Sequence, residues 1–149
     1  MEIQNKPLTD RIIAAAIRVH KELGPGFLEL MYEEALAIEL NASGISFERQ
    51  KLLPIFYREF LIGEHRIDLL VEKAVVVELK AISALEDIHF AIVRSYLKAA
   101  NLSDALLLNF AAPRLTVKRV GREIPSKHEL RRCCAVTLLA SWFPDLNMP

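Results

Sequence analysis

The apolar run Ala74-Val-Val-Val77 gives way at once to Glu78-Leu79-Lys80, and this transition restricts the chain more than any other stretch. A run of β-branched residues reads as a strand whose end reaches polar surroundings, and residues two apart on a strand point the same way. Glu78 and Lys80 therefore share a face. Upstream, Arg66-Ile-Asp68-Leu-Leu-Val71 is also strand-like and Glu72-Lys73 is a polar break, so the two runs read as a hairpin. Asp68 opposes Glu78 only if the loop takes three residues, such as Glu72 to Ala74, or contains a bulge; a tight two-residue turn sends them to opposite faces. In the first arrangement two carboxylates and an ammonium meet at the mouth of an apolar sheet. Such a set suits a hard divalent cation and the charge of a phosphoryl transition state. In the second, Asp68 is an edge polar residue and Glu78 with Lys80 marks a strand end at solvent.

The rest of the chain supplies the frame. Thr9 to Leu23 is expected as a helix with a stripe at Ile12, Ile13, Ala16, Ile17, His20 and Leu23, stopped by Gly24-Pro25-Gly26. A second helix runs from about Leu28 to Ala42, with Leu28, Met31, Tyr32, Ala35, Leu36 and Leu40 packing it beside the first. Phe47 to Tyr57 and Phe60 to Ile62 read as strand, with a turn at Gly63-Glu64-His65 before the hairpin. Ser83-Ala-Leu-Glu86 reads as a capping box for a helix to about Ala100, with Leu85, Ile88, His89, Ile92, Tyr96 and Ala99 inward. Ala105 to Phe110 suits a strand buried on both faces and parallel to an earlier one, Leu115 to Val120 an edge strand. A second capping box, Ser126 to Glu129, opens a terminal helix from Leu130 to Trp142. This order defines an α/β fold with a mixed sheet, one domain over residues 1–149.

Composition narrows the class. Hydrophobic residues at 52% and charged ones at 26% describe a packed globular chain rather than a disordered one. No stretch approaches the roughly 18 apolar residues of a membrane span, and the first residues lack a signal-peptide core, so a cytoplasmic protein is expected. Lys and Arg number 19, as do Asp and Glu, so any nucleic-acid binding must rest on local patches. The richest is Arg114 to Arg132, which also reads as a solvated face. Cys133 and Cys134 are adjacent and match no zinc or redox spacing.

Asp68, Glu78 and Lys80 on a hairpin, followed by a helix and a buried strand, resemble the PD-(D/E)xK nuclease superfamily and its restriction-endonuclease-like core. Gly26-Phe-Leu-Glu29-Leu-Met-Tyr32 is similar to the motif that names the GxxExxY family within it. Ala-Ile-Arg-Val-His20-Lys-Glu-Leu-Gly-Pro-Gly, Glu48-Arg-Gln50, Asp68-Leu-Leu-Val-Glu72, Val-Glu78-Leu-Lys80-Ala and Tyr96-Leu-Lys carry the same likeness, over about residues 8–120. The resemblance implies a mixed sheet flanked by helices, with two N-terminal helices and a C-terminal helical extension at about 125–144. It implies a Mg²⁺- or Mn²⁺-dependent nuclease, endo- or exo-acting, that hydrolyses phosphodiester bonds in nucleic acid, DNA first. Asp68, Glu78 and Glu29 would be metal ligands, the Leu79 carbonyl a further oxygen, and Lys80 the residue that orients water or neutralises the scissile phosphate. Gln50, His89, Tyr96 and Tyr32 would support the site. No membrane partner is implied, and a homodimer is left open.

Each assignment has a plainer counterpart. Glu29 in the first turn of a helix is favoured there by the helix dipole alone. Tyr32 reads as a core aromatic with its hydroxyl paired, His89 as a hydrogen-bonded core residue, and Gln50 as a loop end or a group that reaches the site. Relatives in the superfamily often carry a Gln four residues before the helix Tyr, where this chain has Ile92, and that puts substrate handling in question. The alternative is a catalytically weak or inactive module of the same fold that binds nucleic acid or a protein partner. If nucleic acid is cut, Lys118, Arg119, Arg122, Arg131 and Arg132 should lie at least partly on the side of the site.

Overall fold

The computed structural model describes residues 4–122. Two helices come first, α1 (Lys6–Leu23) and α2 (Glu29–Ala42), then β1 (Phe47–Tyr57), β2 (Phe60–Val71) and β3 (Val75–Lys80), then α3 (Asp87–Ala100), β4 (Asp104–Asn109) and β5 (Thr116–Gly121). The strands form one sheet in the order β1-β2-β3-β4-β5. β3 and β4 are parallel and the other neighbours antiparallel. A parallel pair needs a crossover, and α3 provides it. β5 lies at an edge and β4 is buried along its whole length, as its unbroken apolar run predicts.

Alternation along β3 sorts the core into two faces. Val75, Val77 and Leu79 pack with Ile12, Ala16, Tyr32, Leu36 and Leu40 under α1 and α2. Val76 packs with Val93, Tyr96 and Leu97 under α3, so Glu78 and Lys80 continue that face past the end of the apolar row. Full burial of a Val or Leu contributes roughly 1.5–3 kcal/mol. A sheet centre made of such residues can therefore tolerate one costly polar group at its rim.

The differences from expectation have local causes. α1 starts at Lys6 with Pro7 in its first turn, and its buried stripe runs through Ala15 and Val19 while Ile17 is 38% exposed. α2 turns Tyr32, Glu33, Leu36, Ala37 and Leu40 inward, whereas Leu28, which precedes the helix, and Met31 are exposed. No turn occurs at Gly63 to His65: β2 is continuous, Gly63 pairs with Ile55 beside a register shift, and Arg58 with positive φ reverses the chain instead. α3 is capped by Glu86 and His89 rather than by Ser83 and Glu86, because residues 81–86 carry the chain from the end of β3 to the helix. Ile88 and Ala99 consequently face outward. The expected C-terminal helix, with Cys133 and Cys134, lies outside the described residues.

Candidate active site

The hairpin loop decides whether the carboxylates meet. Glu72 and Lys73 both have positive φ and the Ala74 amide donates to the Val71 carbonyl at 3.0 Å, the pattern of a two-residue type I′ turn. Ala74 is then an extra residue, because Val71 pairs with Val75, Leu70 with Val76 and Leu69 with Val77. Two-residue turn plus bulge makes the three-residue loop that the parity argument requires. Asp68 comes opposite Glu78 on one face of the sheet.

Side-chain contacts complete the convergence. Asp68 Oδ2 accepts the Leu79 amide at 2.9 Å, so the carboxylate stands in for a ladder partner where the β2–β3 pairing ends. Lys80 Nζ donates to Glu78 Oε1 at 2.8 Å and lies 4.0 Å from Glu29 Oε1, which brings the start of α2 to the end of β3. Glu29 remains 43% exposed on its side chain. Glu78 is 4% exposed, and its Oε2 is buried without a hydrogen-bond partner among the described residues. Lys80 thus links Glu78 and Glu29, and Asp68 is held at the next residue of the same strand end.

Charge is concentrated there. Burial, and then the Asp68 carboxylate, push Glu78 up to about 7 against the pull of Lys80. Burial also raises Asp68 and Glu29, and the charge of Asp68 adds to the rise at Glu29. Burial alone would lower Lys80, but the hydrogen bond and charge of Glu78, with Glu29 and Asp68, carry it above its ordinary value. Like charges that cannot all ionise mark a place where a further positive charge would be stabilising.

The supporting residues divide. Tyr96 is 8% exposed on α3, and burial followed by the charge of Glu78 pushes its hydroxyl up to about 12, so it borders the acidic cluster. Gln50 sits inside β1 with a left-handed φ of 50°, and its Nε2 donates to Glu33 Oε2 at 2.7 Å. Its tie to the cluster therefore runs through Glu33, whose charge also reaches Asp68 and Glu29. His89 is half-buried, and its Nδ1 accepts the Glu86 amide at 2.8 Å in the cap of α3. Tyr32 is a core residue, stacked on Phe110 at 4.5 Å, donating to the Gly24 carbonyl at 2.6 Å and accepting the Phe27 amide at 3.2 Å. Tyr32 thereby ties down the Gly24 to Phe27 loop that delivers Glu29. Tyr32→Phe is expected to cost about 1–2 kcal/mol of unfolding free energy, measured by urea denaturation.

Two groups near the site were not singled out in the sequence. Glu33 is buried and held by Arg49 at 3.0 Å and by Gln50, one helical turn beyond Glu29. His65 stacks edge-on against Tyr96 at 4.9 Å and contacts Ser95 Oγ at 3.1 Å. Ser95 gives its own proton to the Ile92 carbonyl, so the imidazole Nε2 must be the donor. The spacing of Glu33 from Glu29 was a readable signal; His65 had none.

The basic residues gather less well. Lys118 shares a cross-sheet row with Leu107 and Glu78, two strands from the site. Arg119 is bound to Thr9 and Asp10 of α1. Arg122 donates to Asn101 at 2.8 Å and lines a cavity of about 450 Å³ with Gln4 and Lys73, at the opposite end of β3 from Lys80. The expectation of a shared side fails for Arg119 and Arg122 because other partners hold them, while Arg131 and Arg132 lie outside the described residues.

A mixed sheet with a hairpin-borne Asp, Glu and Lys beside a helix-borne Glu defines a restriction-endonuclease-like protein. The sequence profile of the PD-(D/E)XK nuclease superfamily matches residues 6–120, and the chain belongs to that superfamily. Its members generally use divalent metal ions, and nucleic acid is the substrate the family implies. Among solved structures the chain is similar to SSO0001, at 16% identity and a TM-score of 0.50, over 79% of this chain and 60% of that one. It is also similar to the alkaline exonuclease LHK-Exo from Laribacter hongkongensis, at 11% identity and a TM-score of 0.43, over 89% and 91% of the two chains. No curated protein matches the chain. No helix among the described residues is long and apolar enough to cross a membrane.

Proposed function

We propose that the protein is a Mg²⁺- or Mn²⁺-dependent nuclease of the GxxExxY branch, hydrolysing phosphodiester bonds in nucleic acid, DNA first. The observation that carries this reading is the orphaned Glu78 Oε2, buried beside Asp68 with no protein donor aimed at it. With Glu78 protonated its carboxyl can donate to Asp68; ionised, it needs a cation. Among the described residues no group of three His, Cys, Asp or Glu side chains is placed to hold a metal ion, so the protein would supply two carboxylates at most. Mg²⁺ keeps several waters and is usually held by one or two carboxylates. Asp68 and Glu78 would hold it, with Glu29 reached through water. Bound there, it would supply Lewis-acid polarisation of the scissile phosphate and acidify a nearby water.

The chain's own residues do the positioning. The Leu79 amide fixes the Asp68 carboxylate, and the ammonium of Lys80 is the donor nearest to charge developing on a phosphate oxygen. Tyr96 closes the site on the α3 side. The second reading, a module of the same fold with little chemistry, is favoured by the diversion of Arg119 and Arg122 to other partners. A titration of Mg²⁺ and Mn²⁺ into parent and Asp68→Asn, followed by melting curves and then by incubation with labelled single- and double-stranded DNA and RNA, separates the two. The nuclease reading expects cation-dependent stabilisation and cleavage in the parent, both absent in Asp68→Asn. Equal metal responses in the two proteins would remove Asp68 as a ligand, and binding without cleavage would establish the module.

A further inference from the structure

Glu33 is a buried carboxylate with no part in the chemistry proposed above. It is 4% exposed and lies on α2 one helical turn beyond Glu29. Both its oxygens are spent on β1: Oε1 accepts Arg49 Nε at 3.0 Å, and Oε2 accepts Gln50 Nε2 at 2.7 Å. Its charge nevertheless reaches Asp68 and Glu29. What it fastens is a residue out of place in a strand. Gln50 has a φ of 50°, and left-handed backbone at a residue other than glycine persists only where its surroundings hold it. Among the described residues the Gln50 side chain is held by Glu33, and Glu33 is itself fixed by Arg49, the residue before the kink.

The kink lies where β2 changes face. Arg49 pairs with Leu69 and Lys51 with Ile67, which sets Gln50 opposite Asp68. Residues two apart on a regular strand point the same way, yet Leu69 packs under α1 and α2 while Ile67 packs under α3. The sheet also parts at this step. β2 pairs with β3 from Val71 back to Leu69, and the same register carried further would set Ile67 opposite Leu79. Instead the Leu79 amide donates to Asp68 Oδ2 at 2.9 Å, so a carboxylate stands where strand backbone would have continued. We propose that Glu33 is a positioning residue: through Gln50 it holds the kink in β1 that delivers the Asp68 carboxylate to the Leu79 amide, beside Glu78. Because Glu33 and Glu29 share α2, the same clasp sets the spacing of Glu29 from Asp68. Its consequence for a cation rests on the metal-site reading above; the placement of Asp68 does not.

The Leu79 amide resonance in a ¹H–¹⁵N spectrum of the full chain, without metal or nucleic acid, reads the contact independently of any activity. An amide that donates to a carboxylate shifts when the carboxylate is made neutral, so Asp68→Asn should move it in the parent. In Glu33→Leu the contact is already lost, and adding Asp68→Asn should leave the resonance where it is. Gln50→Val should behave in the same way, because a β-branched residue resists positive φ, and it gives the reading at a half-buried position if Glu33→Leu fails to fold. Glycine takes a φ of 50° without being held. Gln50→Gly added to Glu33→Leu should therefore restore the response to Asp68→Asn, which a merely structural Glu33 would not. A Leu79 resonance that ignores Asp68→Asn in the parent, one that still follows it in Glu33→Leu or Gln50→Val, or a response that glycine does not restore overturns the inference. Calorimetric titration of Mn²⁺ into the same proteins carries the consequence: Glu33→Leu should bind about 10-fold more weakly or worse, and Gln50→Gly should recover the affinity. A parent that binds no Mn²⁺ defeats the metal-site reading alone, and the Leu79 resonance then decides the role of Glu33.

Discussion

Replacing Lys80 by alanine is expected to slow phosphodiester cleavage by on the order of 10²–10³-fold while leaving divalent-cation binding in place. Lys80 Nζ now spends its contact on Glu78 Oε1 and its charge on Glu29 and Asp68, so in the metal-free protein the ammonium occupies the role of a cation. With Asp68 and Glu78 engaged by a divalent cation, Lys80 would be free to place its compact charge beside an oxyanion developing on the phosphate. Its removal should therefore cost rate, not metal affinity. The Mg²⁺-induced rise in melting temperature should be at least as large in Lys80→Ala as in the parent, because Glu78 Oε1 is freed. Lys80→Arg should not restore the rate, since a planar guanidinium does not reproduce the point charge. Single-turnover cleavage at saturating Mg²⁺ measures the effect, and parental rates in Lys80→Ala would exclude Lys80 from the chemistry.

Asp68, Glu78 and Lys80 were legible because strand alternation has a period of two and needs no context, and because their convergence hung on one integer, the loop length. The turn residues did not reveal that integer. Glu72 and Lys73 are poor candidates for left-handed backbone, and only the observed turn with its extra Ala74 settles the parity. Gly63 misled for the opposite reason: it carries a strong turn signal but is absorbed by a long antiparallel ribbon. Burial on the helices was blurred because Leu28, Met31, Ile17 and Ile88 are apolar and yet exposed, and sequence cannot tell an outward apolar residue from an inward one. The place of Glu33 one turn beyond Glu29 was legible, but its partners Arg49 and Gln50 were not, because they come from a strand 16 and 17 residues away. Gln50 adds a left-handed kink opposite Asp68, where the ribbon changes face: Leu69 and Val71 join the core under α1 and α2, Ile67 and Leu53 that under α3. Long-range pairing of this kind is encoded in no local period.

Glu78→Gln is expected to make the metal-free protein more stable above neutral pH by on the order of 3 kcal/mol and to flatten its stability between pH 4.5 and about 7. The parent's Glu78 is raised from 4.5 to about 7 when folded, by burial first and by Asp68 second. Within that window the native state holds a proton that the unfolded state has released. Raising the pH must therefore destabilise the parent progressively from 4.5 up to about 7, after which both states are ionised and the cost is complete. Glutamine keeps the shape and carries no charge, so the slope vanishes. A saturating divalent cation should abolish this slope in the parent, because a carboxylate bound to the ion is ionised in the native state as it is in the unfolded one. Urea midpoints of both proteins at several pH values, with and without Mg²⁺ at fixed ionic strength, read all of this in one series. If the metal-free parent shows no loss of stability across the window, Glu78 is already compensated by Lys80 alone, and its unpartnered oxygen is no longer an argument for a metal.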